Sequence, residues 1–355
     1  MASPTEQQTP VPRTMTELLS PEWLTRALGT RFPDVRITHV TPGPVVSRVS
    51  TNVRFHMEGA GGLPEGLSPD LCGKGYFMDT GCWPARQAGV SEAFFYRHLA
   101  STSGIRTLRS VYADVDEETR HGVVITEDVV AQDAVFLDAT SDYTPGLAAD
   151  SLAELATLHA ATWGDPALGT ADWLSSRFES LLMGRGVKEI RDNFHSEIGA
   201  GVPSEIRDAD RLVAAYRALA AQAHTAQPWS VIHGDPHVGN LYLDSHGRPS
   251  FLDWQLVQRG PWYLDVGYHI ASTLTVEDRR HNEKALLRHY LDHLRAAGVD
   301  APSWDEAWSG IRRGIIHGFY LWGITLKVDP AITTVLQHRL GTAAADHESF
   351  AAVGV

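Results

Sequence analysis

The chain has 355 residues, and 30 lysines and arginines against 43 aspartates and glutamates give it a formal net charge of −13. This balance argues against a protein that binds duplex nucleic acid, because phosphate contacts need a basic surface. Hydrophobic residues make up 43% of the chain and charged residues 21%, an ordinary globular composition that argues against global disorder.

The N-terminal segment, MASPTEQQTPVPRT, is polar and rich in proline, which predicts disorder up to about residue 13. It has neither a basic stretch nor an apolar core, so we expect no secretory signal. No run of about 18 apolar residues is present, which argues against a membrane-spanning helix. Because Cys72 and Cys82 are the only cysteines, we expect a protein of the reducing cytoplasm.

The first third of the chain combines strand patterns with helical ones. Ser20-Pro21-Glu22 is typical of a helix start, with Ser20 as the N-cap and proline in the first turn. Val-rich segments separated by Gly- and Pro-rich turns then predict strands. Strands are expected at residues 36–41, 47–57, 71–77, 107–114 and 122–127, with a helix at residues 90–101. The pattern predicts a small, mainly antiparallel sheet that carries one helix.

Helical patterns dominate after residue 129. Helices are expected at residues 147–163, 172–197, 204–223, 262–274, 281–297, 304–326 and 331–348, interrupted by a β-rich segment at residues 229–253. The predicted fold class is therefore α+β. We expect a small N-terminal lobe at residues 1–129 and a larger, mainly helical C-terminal lobe at residues 130–355.

The most informative segment is VIHGDPHVGNLYLDSHGRPSFLDWQ, residues 231–255. In it Asp235 and Asn240 stand five positions apart, and Asp253 follows thirteen positions after Asn240. Such a set suits phosphoryl transfer, in which one carboxylate accepts the proton of an attacking hydroxyl while an amide oxygen and a second carboxylate hold Mg²⁺. The spacing predicts Asp235 as the base, with Asn240 and Asp253 as metal ligands.

The pattern H-G-D-x-x-x-x-N followed by L-D-W resembles the aminoglycoside phosphotransferase and choline kinase-like superfamily, small-molecule relatives of protein kinases. The form LDWQ, with GPWYLDVGYHI after it, resembles the ecdysteroid kinase-like branch. The resemblance implies a bilobal protein-kinase-like fold, with a nucleotide-binding N-terminal lobe and a catalytic, acceptor-binding C-terminal lobe. It also implies a kinase that uses ATP and Mg²⁺ to phosphorylate a hydroxyl group of a small molecule.

The resemblance also assigns nucleotide-binding residues. Lys74, in the predicted strand LCGKGYF, is expected to contact the nucleotide phosphates and to pair with Glu92 on the following helix. The strict glycine-rich loop of protein kinases is missing, and Ser47 either covers the phosphates or belongs to a plain β-hairpin. The backbone of Glu127 and Val129 is expected to bind the adenine.

Other polar and aromatic residues have structural interpretations beside functional ones. Asp265 is expected to brace the catalytic loop, and His159 and His233 to be buried, hydrogen-bonded histidines. Four C-terminal aromatic residues belong either to the core or to an acceptor pocket. They are Trp304, Trp308, Tyr320 and Trp322. Acidic and basic residues are mixed in this region, which argues against a cationic aminoglycoside as the acceptor.

Two other functions stay open on the sequence alone. His233, Asp235 and His237 alternate and, with Asp253, could hold Zn²⁺ in a metal-dependent hydrolase. The other alternative is a non-catalytic nucleotide-binding module. The sequence carries no signal for the identity of the acceptor, for ATP over GTP or for the oligomeric state.

Overall fold

The computed structural model describes residues 10–84 and 86–355, which form a mixed α+β structure. Contacts divide the chain into two units. The smaller unit contains the described residues up to Thr102 together with Leu108–Asp133, and the larger unit contains Ser103–Thr107 and Ala134–Val355. The division expected at residue 129 falls inside a 3-10 turn, Val129–Gln132, which belongs to the smaller unit.

The smaller unit is built around one antiparallel sheet. Over its described residues the elements are α1 (Met15–Leu18), α2 (Pro21–Gly29), β1 (Ile37–Ser47), β2 (Thr51–Gly59), β3 (Asp70–Gly75), α3 (Gln87–His98), β4 (Ser110–Asp116) and β5 (His121–Glu127). The strands pair in the order β1-β2-β3-β5-β4, and α3 packs against β4 and β5. As predicted, α2 begins after Ser20, whose Oγ accepts the N–H of Trp23.

The first strand differs from its prediction. The sequence predicts a turn at residues 42–46, whereas β1 continues through Pro42-Gly43-Pro44 to Ser47, with a register shift between Pro42 and Val45. Because β1 is an edge strand, it pairs with a neighbour on one side only, and proline, which has no backbone N–H, is tolerated there. The hairpin turn therefore lies at residues 48–50.

Residues 10–13 are packed rather than disordered. Val11 is buried in the core of the smaller unit. Trp23 donates from Nε1 to the carbonyl of Pro10 at 2.8 Å, and the N–H of Met78 donates to the carbonyl of Arg13 at 2.9 Å. One buried valine and these backbone acceptors outweigh the proline-rich composition that predicts disorder. Residues 1–9 of the predicted segment lie outside the described residues.

The larger unit is mainly helical. Its elements are β6 (Val135–Phe136), α4 (Pro145–Ala161), α5 (Phe178–Gly184), α6 (Val187–His195), α7 (Ala209–Thr225), β7 (Ser230–Ile232), β8 (Leu241–Leu243), β9 (Pro249–Phe251), β10 (Gln258–Gly260), α8 (Tyr263–Thr273), α9 (Val276–Ala296), α10 (Trp304–Gly323), α11 (Pro330–Asp346) and α12 (Ser349–Ala352). The continuous helix predicted at residues 172–197 is wrong, because extended backbone at Arg185, flanked by two glycines, separates α5 from α6. No described helix is both long and apolar enough to cross a membrane.

Helices α8 and α10 cross closely because three glycines of α10 stand four positions apart, at Gly310, Gly314 and Gly318. A Cβ on Gly314 would lie 1.9 Å from the carbonyl oxygen of Tyr263, and a Cβ on Gly318 would lie 2.2 Å from the ring of Tyr268. The absence of side chains at these positions lets the helix backbones approach and gives the Tyr268 ring its place.

Candidate active site

The turn at residues 233–240, which we call the HGD loop, connects β7 with β8. The strand β7 is buried at every residue, and the 3-10 turn Val238–Asn240 leads directly into β8. Gly234 has a φ of +83°, and a Cβ there would lie 2.3 Å from the carbonyl oxygen of Leu256. Glycine is therefore required for the sharp turn that presents Asp235.

His233 holds the HGD loop through both ring nitrogens. Its Nε2 donates to the carbonyl of Leu252 at 3.0 Å, and its Nδ1 accepts the N–H of Asp235 at 3.2 Å. This pattern leaves neither nitrogen for a metal ion. The described residues contain no group of three or more His, Cys, Asp or Glu side chains able to hold a metal. The zinc cluster of the hydrolase alternative is therefore not formed.

Asp265, on α8, braces the HGD loop, as the sequence predicts. It is fully buried, and its carboxylate accepts the N–H groups of His233 at 2.7 Å and Gly234 at 2.9 Å. Burial acts to raise the pKa of Asp265, but its hydrogen bonds with His159 and with the N–H of Gly234 hold that pKa below its ordinary value. A charged carboxylate thus fixes two consecutive backbone groups next to Asp235.

Two further buried histidines hold the carbonyl groups of the loop. His317, on α10, donates from Nε2 to the carbonyl of Gly234 at 2.8 Å, and His269, on α8, donates from Nδ1 to the carbonyl of Pro236 at 2.6 Å. Burial lowers the pKa of His317, and it lowers the pKa of His269 to about 4. Both imidazoles are therefore neutral near pH 7 and act as donors.

The carboxylate of Asp235 is held at both oxygens and still has 27% of its side-chain surface exposed. Tyr268 donates its hydroxyl to Oδ1 at 2.8 Å. The amide nitrogen of Asn240 donates to Oδ2 at 3.3 Å and to the carbonyl of Asp235 at 2.8 Å. A carboxylate fixed in this way can accept the proton of a hydroxyl that approaches its exposed side, which is what a general base must do.

Asn240 and Asp253 lie at the same end of the β8–β9 ribbon. The N–H of Leu252 donates to the carbonyl of Asn240 at 3.0 Å, and Asp253 is the next residue. Because the amide nitrogen of Asn240 faces Asp235, its oxygen is left for a metal ion. Asp253 has a φ of 64°, a left-handed conformation that is uncommon outside glycine and concentrated at functional sites. An amide oxygen and a carboxylate match the ligand preference of Mg²⁺.

In the smaller unit the structure brings Lys74 and Glu92 together. Lys74 lies on β3 and Glu92 on α3, and the Lys74 Nζ is 2.8 Å from Oε2 and 2.9 Å from Oε1 of Glu92. Only 5% of the Glu92 side chain is exposed. A nearly buried carboxylate therefore fixes the ammonium group, the arrangement that kinase-type phosphate binding uses.

The remaining nucleotide-binding candidates differ in their surroundings. Ser47 pairs with Thr51 across the hairpin, and their hydroxyl oxygens are 3.0 Å apart. Glu127 donates its N–H to the carbonyl of Arg109, so this N–H is unavailable to an adenine. Val129 begins a 3-10 turn, and its N–H donates to no other group of the described residues. Of these two N–H groups, that of Val129 is the one able to donate to a base.

The aromatic residues of α10 separate into two groups. Trp304 and Trp308 are partly exposed and stack with ring centroids 5.6 Å apart, whereas Tyr320 and Trp322 are buried. A helix rises 1.5 Å per residue, which places Trp308 about 20 Å along the axis from Trp322. Because Trp322 contacts the Tyr268 that binds Asp235, Trp304 and Trp308 are too distant to line a pocket at that carboxylate.

Sequence reasoning missed Tyr268 and left Trp322 unassigned. The signal that could have found Tyr268 is its spacing, since Asp265, Tyr268 and His269 lie three and four positions apart and therefore share one face of α8. All three bind the HGD loop. The contact of Trp322 with Tyr268 joins residues far apart in the chain and has no such local signal.

Residues 82–304 match the family model described as a phosphotransferase enzyme family. The crystal structure of a spectinomycin phosphotransferase in complex with ADP and spectinomycin is 11% identical, with 94% of this chain and 98% of that chain covered and a TM-score of 0.50. An ethanolamine kinase from Plasmodium vivax is 12% identical, with 86% and 81% covered and a TM-score of 0.50. At these identities the structures show a shared fold. No curated protein matches the sequence significantly.

Proposed function

The chain belongs to the phosphotransferase enzyme family, and from this membership we propose that it transfers the terminal phosphoryl group of ATP, with Mg²⁺ as cofactor, to a hydroxyl group of a small molecule. The observation that carries the proposal is the HGD loop, which presents Asp235 with a fixed and partly exposed carboxylate. Positioning and electrostatic stabilisation of this kind supply most of the catalysis in phosphoryl transfer.

Asp235 acts as the base in this proposal. The hydroxyl oxygen of the acceptor forms a bond to the γ-phosphorus while the bond from that phosphorus to the leaving ADP oxygen breaks. The proton of the hydroxyl passes to the carboxylate of Asp235. Asp265, His317 and His269 keep the loop backbone in place during the step, because each binds one or more of its polar groups.

The metal ligands are Asn240, through its amide oxygen, and Asp253, through its carboxylate. Both are hard oxygen donors, and they lie at one end of the same ribbon, which supports a magnesium site. Two protein ligands are enough, because Mg²⁺ usually keeps water molecules and binds substrate phosphates. When bound, the ion neutralises charge that develops on the phosphate oxygens.

The smaller unit supplies groups for the nucleotide. The ammonium of Lys74, held by Glu92, contacts the phosphates, and the N–H of Val129 donates to the adenine. Glu127 contributes through its carbonyl alone, because its N–H is already engaged. Ser47 reaches a phosphate only if its hydroxyl exchanges its contact with Thr51.

The acceptor is an uncharged alcohol rather than a cationic aminoglycoside. Residues 314–326, which contain the end of α10 that carries Trp322, include no aspartate or glutamate to attract a cation. Tyr268, which binds Asp235, and Trp322, which binds Tyr268, are buried aromatic groups that favour a ring-bearing or otherwise apolar alcohol. The nearer resemblance to ecdysteroid kinase-like proteins stays a prediction.

The test is a screen of Mg·ATP against a library of alcohols, in which ADP release is measured for the wild type and for Asp235→Asn. We expect release that depends on one class of alcohol, and a loss of at least about a thousandfold in the variant with nucleotide affinity retained, because the base is removed and Lys74 is not. Asp292→Asn, which neutralises an exposed aspartate on α9, should behave as wild type. Unchanged turnover by Asp235→Asn would overturn the assignment of the base.

A further inference from the structure

A chain of two hydrogen bonds links the indole of Trp322 to the carboxylate of Asp235 through Tyr268. Trp322 Nε1 lies 2.6 Å from the Tyr268 hydroxyl oxygen, and that oxygen lies 2.8 Å from Asp235 Oδ1. Tyr268 is fully buried and 5% of Trp322 is exposed. This chain of hydrogen bonds therefore runs through the protein interior and ends at the carboxylate proposed to act as the base.

The direction of these hydrogen bonds follows from the chemistry of the groups. An indole N–H can only donate, so the Tyr268 oxygen must accept it. The single proton of the hydroxyl is then directed to the carboxylate of Asp235, which can only accept when ionised. Burial and the nearby charge of Asp235 raise the pKa of Tyr268 well above its ordinary value, so the hydroxyl keeps this proton.

The packing around Tyr268 leaves its ring little freedom. Gly318 makes room for one face, since a Cβ there would lie 2.2 Å from the ring. His317 meets the ring edge-on at a centroid distance of 6.1 Å. The packing of the ring therefore fixes the position of the hydroxyl, in addition to its two hydrogen bonds.

We propose that Tyr268 is a positioning residue for the Asp235 carboxylate and that Trp322 acts through it, by orienting the Tyr268 hydroxyl. Tyr268 occupies Oδ1, so that Oδ2, which Asn240 reaches at 3.3 Å, is the oxygen that receives the proton of the acceptor. This inference rests on the proposed function of Asp235. Without Tyr268 the carboxylate can rotate, and a smaller share of encounters has the base in line with the hydroxyl.

The first test follows the indole N–H of Trp322 and needs no acceptor. Tryptophan is labelled with ¹⁵N, and the Trp322 signal is assigned by its loss in Trp322→Phe. Hydrogen bonds in a chain strengthen one another, so Asp235→Asn should move this signal upfield by more than the other indoles. In a Tyr268→Phe background the same Asp235→Asn change should leave it in place. An equal shift of the Trp322 signal in both backgrounds, or no shift in either, would contradict the proposed coupling of Trp322 to Asp235 through Tyr268.

The second test is kinetic and uses an alcohol that the wild type phosphorylates. Tyr268→Phe should lower kcat roughly tenfold and leave the KM for ATP within about twofold of the wild-type value. The reason is that a hydrogen bond to a charged group is lost while the packing of the ring is unchanged. Trp322→Phe should lower kcat less, and should lower it no further in the Tyr268→Phe background. Tyr112→Phe, which removes a buried tyrosine hydroxyl on β4 of the smaller unit, is the control.

The outcomes separate this inference from the proposed function. Wild-type kcat in Tyr268→Phe, together with an inactive Asp235→Asn, would overturn the positioning role and leave the function in place. Additive losses from the two aromatic substitutions would show that Trp322 acts by another route. If the wild type phosphorylated no alcohol, the proposed function would fail. The ¹⁵N experiment on the Trp322 indole would then be the one test of whether Trp322 is coupled to Asp235 through Tyr268.

Discussion

Around Asp235, the backbone groups of the HGD loop are bound by side chains that come from two helices, α8 and α10. Asp265 accepts hydrogen bonds from the N–H groups of His233 and Gly234. His317 donates to the carbonyl of Gly234, and His269 donates to the carbonyl of Pro236. Because all three side chains are buried, each contact is protected from competition with water. The position of Asp235 is thus set by groups that take no part in the proposed chemistry.

The buried state of His269 predicts a pH dependence of stability. Burial lowers its pKa to about 4, below the ordinary value of 6.5. The unfolded chain therefore binds a proton before the folded chain does, and stability that is complete above pH 6.5 is lost as the pH falls towards 4. The slope from this group is at most about 1.4 kcal/mol per pH unit. Urea unfolding of the wild type and His269→Gln between pH 7 and pH 4 measures it.

Other groups titrate over the same range, so the difference between the two proteins is the informative quantity. The wild type should lose stability faster than His269→Gln as the pH falls, because only the wild type has this imidazole to protonate. Parallel pH profiles would show that His269 is not buried in its neutral form.

At the scale of elements, the crossing of α8 and α10 determines where the tyrosine of the site lies. The glycines of α10 remove side chains from the contact, so Tyr268 sits directly against the backbone of α10. The same two helices carry Asp265, His269, His317 and Trp322, which all reach the HGD loop directly or through Tyr268. Close packing here is therefore a condition for the geometry at Asp235.

Gly318→Ala tests this packing. The added methyl group would collide with the ring of Tyr268, which is itself fully buried, so we expect the free energy of unfolding to fall by about 2 kcal/mol. The turnover should fall as well, because the Tyr268 hydroxyl is displaced from Asp235. Gly29→Ala is the control, since nothing lies within 4 Å of a Cβ at that position. Unfolding in urea and ADP release measure the two effects, and wild-type values for Gly318→Ala would contradict this account.

A second feature at this scale is the ion-pair network that joins α9 to α11. Arg279 is almost fully buried and contacts Asp346 and Glu283, and Arg280 donates two hydrogen bonds to Asp346 at 2.8 and 2.9 Å. Partial burial acts to raise the pKa of Asp346, but the two arginines hold it below its ordinary value. The network therefore contributes stability above the ordinary aspartate pKa and loses it as the pH falls.

Asp346→Asn should lower the free energy of unfolding at pH 7 by about 3 kcal/mol, because it removes one of the two carboxylates that neutralise a buried arginine. Asp192→Asn, which breaks the exposed pair of Asp192 with Lys188 on α6, should change it by less than about 0.5 kcal/mol. Urea unfolding distinguishes the two variants. Equal effects would show that Arg279 does not depend on Asp346.

Over the whole molecule, the sequence predicts those features that local patterns determine. The H-G-D-x-x-x-x-N spacing leads to the family, and the strand and helix patterns lead to an antiparallel sheet that carries one helix. The resemblance then pairs Lys74 of β3 with Glu92 of α3, and the two side chains do meet. Local patterns do not predict the features that depend on contacts between residues far apart in the chain. Pro42-Gly43-Pro44 is tolerated because its strand is an edge, residues 10–13 are packed by Trp23 and Met78, and the glycines of α10 matter only opposite α8. The role of Tyr268 depends on such a contact.

The net charge of −13 has a limited meaning at this scale. Some of the acidic residues have defined positions, such as Asp235, Asp253 and Asp265 in the larger unit and Glu92 in the smaller one. The acidic composition is therefore no evidence for a cationic acceptor. Under the proposed function, acceptor choice depends on the groups near Asp235, among which Tyr268 and Trp322 are aromatic and uncharged.

The central claim is that Asp235 serves as the base while a phosphoryl group moves from ATP to an alcohol. ³¹P NMR of the protein with Mg·ATP and the acceptor found in the screen tests this directly. The wild type should produce a phosphomonoester and ADP in equal amounts, and Asp235→Asn should produce neither although it still binds ATP. Orthophosphate with ADP and no ester, or ester formation by Asp235→Asn at the wild-type rate, would contradict the claim.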